Sequence, residues 1–215
     1  MKQLFALAMV VSALVAASSA RADTISYPLA LGNPAISGYV GPYVDVLVDR
    51  TSGTTADITF TSLSNGSQTF LIGDGGTAAV NVNASSWLLS SILGTNAGTG
   101  FSPGPFSNGG SGNEDGFGSF NQNIDDFDGY THSTSSVSFT LTNLSGSWAS
   151  AADVLAPNAS GNVAAAHVFV ASCASAASCD AGTAALATGF ATVPEPGTAS
   201  VLGLGLIVLG LSRRR

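Results

Sequence analysis

From Tyr43 to Thr192 the chain is a succession of short runs in which apolar and small polar residues alternate, and this alternation restricts the fold more than any other feature. In residues 136–143, Val137, Phe139 and Leu141 point one way and Ser138, Thr140 and Thr142 the other, the period of two of a half-buried strand. In residues 43–48, Val44, Val46 and Val48 alternate with Asp45 and Leu47. Further runs lie at 56–62, 69–72, 78–83, 86–92, 164–171 and 185–192, separated by Gly, Ser, Asn and Pro. Asn65-Gly66 and Asp74-Gly75-Gly76 supply hairpin or tight-turn chemistry. Eight short strands with little helical pattern predict a single all-β domain, a β-sandwich or jelly roll. Residues 150–155 form a short helical turn stopped before Pro157.

Residues 94–118 break the pattern. They hold nine glycines with Pro103 and Pro105 and little apolar content, which reads as a long flexible surface loop between two halves of one sandwich.

Charge is scarce and lopsided. Setting aside Lys2, Arg21, Arg213, Arg214, Arg215 and Glu195 near the ends, the chain keeps twelve acids against the single base Arg50, a balance of −11. Such a surface repels nucleic acid and anionic lipid headgroups, so neither is expected as a partner. Cys173 and Cys179 are separated by five residues, and a lone close pair, with only His167 nearby as a further metal ligand, predicts a local disulfide. Closing so short a loop stabilises by roughly 2 kcal/mol.

Little in the middle of the chain points to catalysis. Only His132 and His167 could serve as bases for a nucleophile, and no Gly-x-Ser-x-Gly elbow is present. His167 sits in an apolar run and reads as a packed, hydrogen-bonded imidazole. Carboxylate pairs for glycoside cleavage would come from Glu114, Asp115, Asp125, Asp126 and Asp128, but Glu114 and Asp115 fall in the Gly-rich segment, a poor platform for pre-organised chemistry. No catalytic residue is therefore assigned. Asn123, Asp125, Asp126 and Asp128, with Asn121 nearby, form an oxygen-rich stretch of the kind calcium favours, or equally an Asx-rich turn leading into the 136–143 strand. With Gly129 at the sixth position of an EF-hand loop, the first position falls on Ile124, which cannot ligate. No cofactor is assigned, calcium being the one possible exception. Phe101, Phe106, Phe117, Phe120, Phe127 and Tyr130 crowd the same region and either pin the loop to the sandwich or offer flat faces to a sugar polymer.

The two ends read as addresses rather than structure. Residues 1–22 have Lys2 as a positive start, an apolar run from Leu4 to Ala17, and Ala20 and Ala22 at the −3 and −1 positions of an A-x-A cleavage site, predicting Sec export and a mature start at Asp23. The domain then spans 23–192. Residues 193–215 have three parts: Val193-Pro194-Glu195-Pro196-Gly197, an uncharged apolar run from Ala199 to Leu211, and the basic anchor Arg213, Arg214 and Arg215. That order is a stop-transfer arrangement, short for a full helical span but extended by snorkelling arginines, and it leaves the domain outside.

This tail resembles the PEP-CTERM sorting signal of Gram-negative bacteria, with Val193, Pro194, Glu195 and Pro196 as the motif. The resemblance implies an inner-membrane helix as a temporary hold and an exosortase that reads the motif and releases or transfers the protein. It also implies a producer of exopolysaccharide or biofilm matrix. The expectation is an exported, non-enzymatic surface or matrix protein, partnered by the Sec machinery, an exosortase and exopolysaccharide. The competing expectation is a calcium-stabilised carbohydrate-binding module at 101–130, with a hydrolase a weaker third.

Overall fold

The computed structural model describes residues 22–193, which build two antiparallel sheets packed face to face. The expected Ala20, Pro194, Glu195, Pro196, Arg213, Arg214 and Arg215 features and the C-terminal membrane helix lie outside the described residues. No helix among the described residues is long and apolar enough to cross a membrane.

In chain order the strands are β1 (Asp23–Leu29), β2 (Leu31–Gly32), β3 (Val44–Arg50), β4 (Thr55–Ser62), β5 (Ser64–Asn65), β6 (Gln68–Ile72), β7 (Gly75–Val80), β8 (Trp87–Thr95), β9 (Ser107–Glu114), β10 (Gly118–Asp126), β11 (Ser136–Asn143), β12 (Ala164–Ala171) and β13 (Ala187–Thr192). One sheet runs β1-β3-β4-β11-β8; the other runs β2-β13-β12-β7-β10-β9, with β6 on β12 and β5 on β6. The all-β sandwich expected from the alternation is what forms.

Period two carries through to packing. In the five-stranded sheet Val44, Val46, Val48, Ile58, Phe60, Val137, Phe139 and Leu141 are buried, while Asp45, Leu47, Asp57 and Thr140 take the other face. Phe60 and Phe139 stack at 6.3 Å and 27°. From the second sheet Phe70, Ile72, Ala78, Val80, Ile124, Ala164, Ala166, Val168 and Val170 close the same core. Arg50 is buried, and its Nε donates to Asp23 Oδ1 at 2.6 Å, while Asp23 Oδ2 accepts from Ala151 N at 2.8 Å. That backbone bond first, and the guanidinium second, hold the Asp23 carboxyl below the ordinary range against its own desolvation.

Strand β1 was not foreseen, although Ile25, Tyr27 and Leu29 alternate with Thr24, Ser26 and Pro28; its seven residues pair with β3 from Asp23↔Arg50 to Leu29↔Val44. Asp74-Gly75-Gly76 is not a hairpin: β6 and β7 pair antiparallel with consecutive stretches of the same strand, β12, and the chain bulges out between them. Asp74 and Gly75 take positive φ there, 73° and 56°. Residues 151–153 form the expected helical turn as a single 3-10 turn, closed by Ser150 N and Oγ donating to Asp153 Oδ2 at 2.9 and 2.8 Å.

The largest correction concerns 94–118. Strand β8 continues to Thr95, and Ser107–Glu114 forms β9 against β10, so the expected loop shrinks to the connection 96–106. The glycines serve close approach. A Cβ on Gly112 would lie 2.1 Å from Asn123 Nδ2, and one on Gly109 would lie 2.3 Å from Asp125 Oδ1. The side chains of β10 fold over β9 where only hydrogen leaves room for them.

Candidate functional site

The oxygen-rich stretch is strand rather than turn: β10 runs through Asn121, Asn123, Asp125 and Asp126 and ends only there. Asn121 is consumed by a neighbouring strand end, its side chain accepting from Val82 N at 2.7 Å and donating to Val82 O at 2.9 Å. Asn123 and Asp125 lie over β9, beside Glu114. Asp126 turns elsewhere: its Oδ1 accepts from Phe127 N at 2.6 Å, and its charge neighbours are His132 and Asp74. Asp128 lies near Gly75. Asn123, Asp125, Asp126 and Asp128 are therefore dispersed over two places, because neighbouring positions of a strand face opposite ways. Among the described residues no group of three or more His, Cys, Asp or Glu is gathered to hold a metal ion.

Glu114, expected in a mobile loop, is instead a buried side chain at the end of β9, 1% exposed. Asn123 Nδ2 donates to its Oε1 at 2.8 Å, while Glu114 Oε2 and Asn123 Oδ1 are buried without a hydrogen-bond partner among the described residues. Desolvation pushes the Glu114 carboxyl up to about 7, the Asn123 bond opposing and the Asp125 charge adding to it. Burial likewise raises Asp125 and Asp126. Asp115 stays outside this group, in the turn after β9. A buried carboxyl with an amide partner is a proton-holding group, and the Asp125 charge nearby helps keep its proton on.

Both histidines work as structural donors. His167 Nδ1–H donates to Asp74 O at 2.9 Å, fixing the bulge between β6 and β7, and its Nε2 accepts from Thr188 Oγ1 at 2.9 Å. Burial lowers its pKa and keeps the ring neutral, stacked 4.2 Å from Phe190. His132 Nδ1 faces Ser102 O at 2.9 Å and Gly104 O at 3.1 Å, so it donates to the 96–106 connection and ties it down.

Most of the aromatic cluster is packed. Phe101 meets Tyr130 at 5.2 Å, and Tyr130 meets Phe169 at 5.6 Å, both edge to face. Phe106 covers Gly94, where a Cβ would sit 2.1 Å from its ring. Phe117 and Phe120 are buried with Ala79 and Ala165. Phe127 alone of the six projects, 57% exposed and tilted against His132 at 4.8 Å. Cys173 and Cys179 form the expected disulfide, with Cα atoms 5.2 Å apart.

The last strand leads into the other candidate site. Thr192 ends β13 fully buried, its Oγ1 donating to Ala164 O at 2.7 Å, and Val193 is the last described residue. Residues 192–215 match the model of the PEP-CTERM protein-sorting motif. The tail is a PEP-CTERM sorting signal. It marks the chain as an exported protein with a cell-surface or extracellular destination and an exosortase as its processing partner. No curated protein and no solved structure matches the chain.

Proposed function

We propose that the β-sandwich acts without catalysis as a structural component of an extracellular, exopolysaccharide-rich matrix, such as the biofilm of a Gram-negative bacterium. The observation that carries this reading is the junction at Thr192: the PEP-CTERM match begins at the last, buried residue of β13, so the sorting tail follows the domain with no linker. Until processing, a tail of this kind would hold the folded domain directly at the outer face of the inner membrane. Two features support a structural role. His132 and His167 are spent on carbonyl bonds that fix the chain path, and the disulfide closes a surface loop for an oxidising compartment.

At the other end, Asp23 is the first residue of β1, with its carboxylate bonded to Ala151 N and Arg50 Nε. Sec-dependent export with cleavage after Ala22 would free this residue as the mature N-terminus, and sequencing of the extracellular protein should begin at Asp23. Replacing Glu195 by Ala should leave the protein in the inner membrane with its tail attached. Normal release of that variant would show that Pro-Glu-Pro is not what the processing enzyme reads. For the matrix role, wild-type protein should co-fractionate with extracellular polysaccharide; recovery only as free protein in the medium would refute it, whatever the Glu195→Ala result.

A further inference from the structure

Among the described residues strand β8 is an outer strand of the five-stranded sheet, paired with β11 along one side. Most sheet edges carry devices that discourage further pairing, such as charge, proline or extreme shortness. Here β1 has Asp23, Asp45 beside Pro28 and Pro28 itself; β2 and β5 are two residues long; β9 is Ser-Asn-Gly-Gly-Ser-Gly-Asn-Glu, without an apolar side chain. Strand β8, Trp-Leu-Leu-Ser-Ser-Ile-Leu-Gly-Thr, has nine residues and neither charge nor proline. Leu88 and Leu93 project from it, 54% and 66% exposed. On its other face Trp87, Leu89 and Ile92 pack against the core yet stay only partly buried, unlike the fully covered Phe60 and Leu141 of the inner strands.

The sequence of β8 reads nearly the same in both directions about the Ser90–Ser91 bond. An antiparallel copy turned about that point would set Leu88 opposite Leu93, Leu89 opposite Ile92, Ser90 opposite Ser91 and Trp87 opposite Gly94. Each pair also shares a face. The ladder with β11 is irregular between Leu93 and Ser90, and Ser91 has φ 55°, the mark of a bulge. That extra residue puts Leu88 and Leu93 on one side although five positions separate them. It falls on the two-fold point, so both copies carry it at the same place and the register is kept. Trp87, the bulkiest side chain of the strand, meets the one position with no side chain.

We propose that β8 is a self-pairing edge through which two copies of this chain join their five-stranded sheets about a two-fold axis into one continuous sheet. The partner is a second copy because the match is of the strand with itself, as an isologous contact requires. Charge points the same way. Two copies of residues 23–192, with twelve acids and one base apiece, repel one another, so a surface poor in acids is where they meet at least cost. The carboxylate placed furthest toward this edge in the sheet, Asp57, is two strands in, on β4; it accepts from Thr140 Oγ1 at 2.6 Å and lines the far side of the outer-face hollow whose near side is Ser91 and Leu93. The two leucine pairs would form a small apolar cluster on the outer face and cover Leu89 and Ile92 on the inner one.

The test uses the mature protein recovered outside the cell. Light scattering across a concentration series should show monomers giving way to dimers, and Leu93→Lys, a charge at an exposed position, should weaken that association at least tenfold, with melting temperature unchanged at concentrations where the wild type is monomeric. Cysteine pairing reads the register independently. Leu88→Cys copies mixed with Leu93→Cys copies should form an interchain disulfide, whereas either variant alone should not. A monomer at every concentration, dimers indifferent to Leu93→Lys, or Leu88→Cys copies that cross-link with themselves as readily as with Leu93→Cys copies would each overturn the proposal.

Discussion

The five-stranded sheet and the β7-β10-β9 corner of the second sheet bury their side chains by opposite rules. In the first, β3, β4 and β11 bury Val, Ile, Phe and Leu on one face and leave Ser, Thr and Asp, with Leu47, on the other. In the second, β9 and β10 bury Glu114, Gln122, Asn123 and Asp126, and β9 gives up side chains so that those groups fit. The first arrangement gains from the hydrophobic effect at nearly every inward position. The second depends on hydrogen bonds to offset desolvation, and at Glu114 the offset is incomplete. The lesson is that one fold can hold a corner weakened as pH rises, through the raised Glu114 carboxyl, beside a sheet whose one pH-linked contact, the lowered Asp23 carboxyl, weakens only as pH falls.

The sharpest contrast should come from truncation. Phe139→Ala removes a nearly buried ring stacked on Phe60 and should cost about 3–5 kcal/mol at any pH, measured by denaturant unfolding. Close behind comes Glu114→Gln. The folded carboxyl is raised to about 7 from 4.5, so the unfolded chain gives up this proton first as pH rises. The fold keeps the full benefit of protonated Glu114 below pH 4.5 and loses it progressively toward pH 7. Glu114→Gln, which cannot ionise, should therefore be near neutral at pH 4 and more stable than wild type by about 3 kcal/mol at pH 8. A stabilisation equal at both pH values would show that the burial of charge is not what limits this corner.

Gly112→Ala should cost about 1–3 kcal/mol, since the added methyl would lie 2.1 Å from Asn123 Nδ2 and must displace it from Glu114. A neutral Gly112→Ala would mean that β9 is free to move, as its composition first indicates. The smallest effects belong to the sugar and calcium reading. With the oxygen-rich residues split between two places, calcium should leave the melting temperature within about 1 °C, consistent with weak, surface-type cation interactions. Phe127→Ala should change neither stability nor binding to isolated polysaccharides. A calcium-dependent rise in melting temperature joined to glycan binding lost in Phe127→Ala would restore the binding-module reading for this corner.

What could be read in advance divides along the same line. Val137, Phe139 and Leu141 announced their strand because alternation is a local property, fixed by the pleat and unaffected by what lies across the core. The disulfide was legible for the same reason, as six steps of chain suffice to bring Cys173 and Cys179 together. The sorting tail was legible because its motif, apolar run and basic end follow one another in sequence, a pattern that needs no distant partner.

Residues 94–118 were misread because glycine has two uses, freedom and close approach, and only the neighbour decides which applies. Nothing local to Gly112 says that Asn123 will lie on it. Nor does the sequence say that consecutive Asp125 and Asp126 will face apart, since that follows from β10 being a strand, which its Asn and Asp content argues against. The nearly palindromic run of β8 was present in the sequence from the start, but it meant nothing until the sheet order left that strand at an edge. The chain by itself determined the all-β class, the local disulfide and the address, all products of short-range patterns. Tertiary structure decided which carboxyl is buried, which glycines are contacts and which strand lies at an open edge, because each depends on a partner distant in sequence.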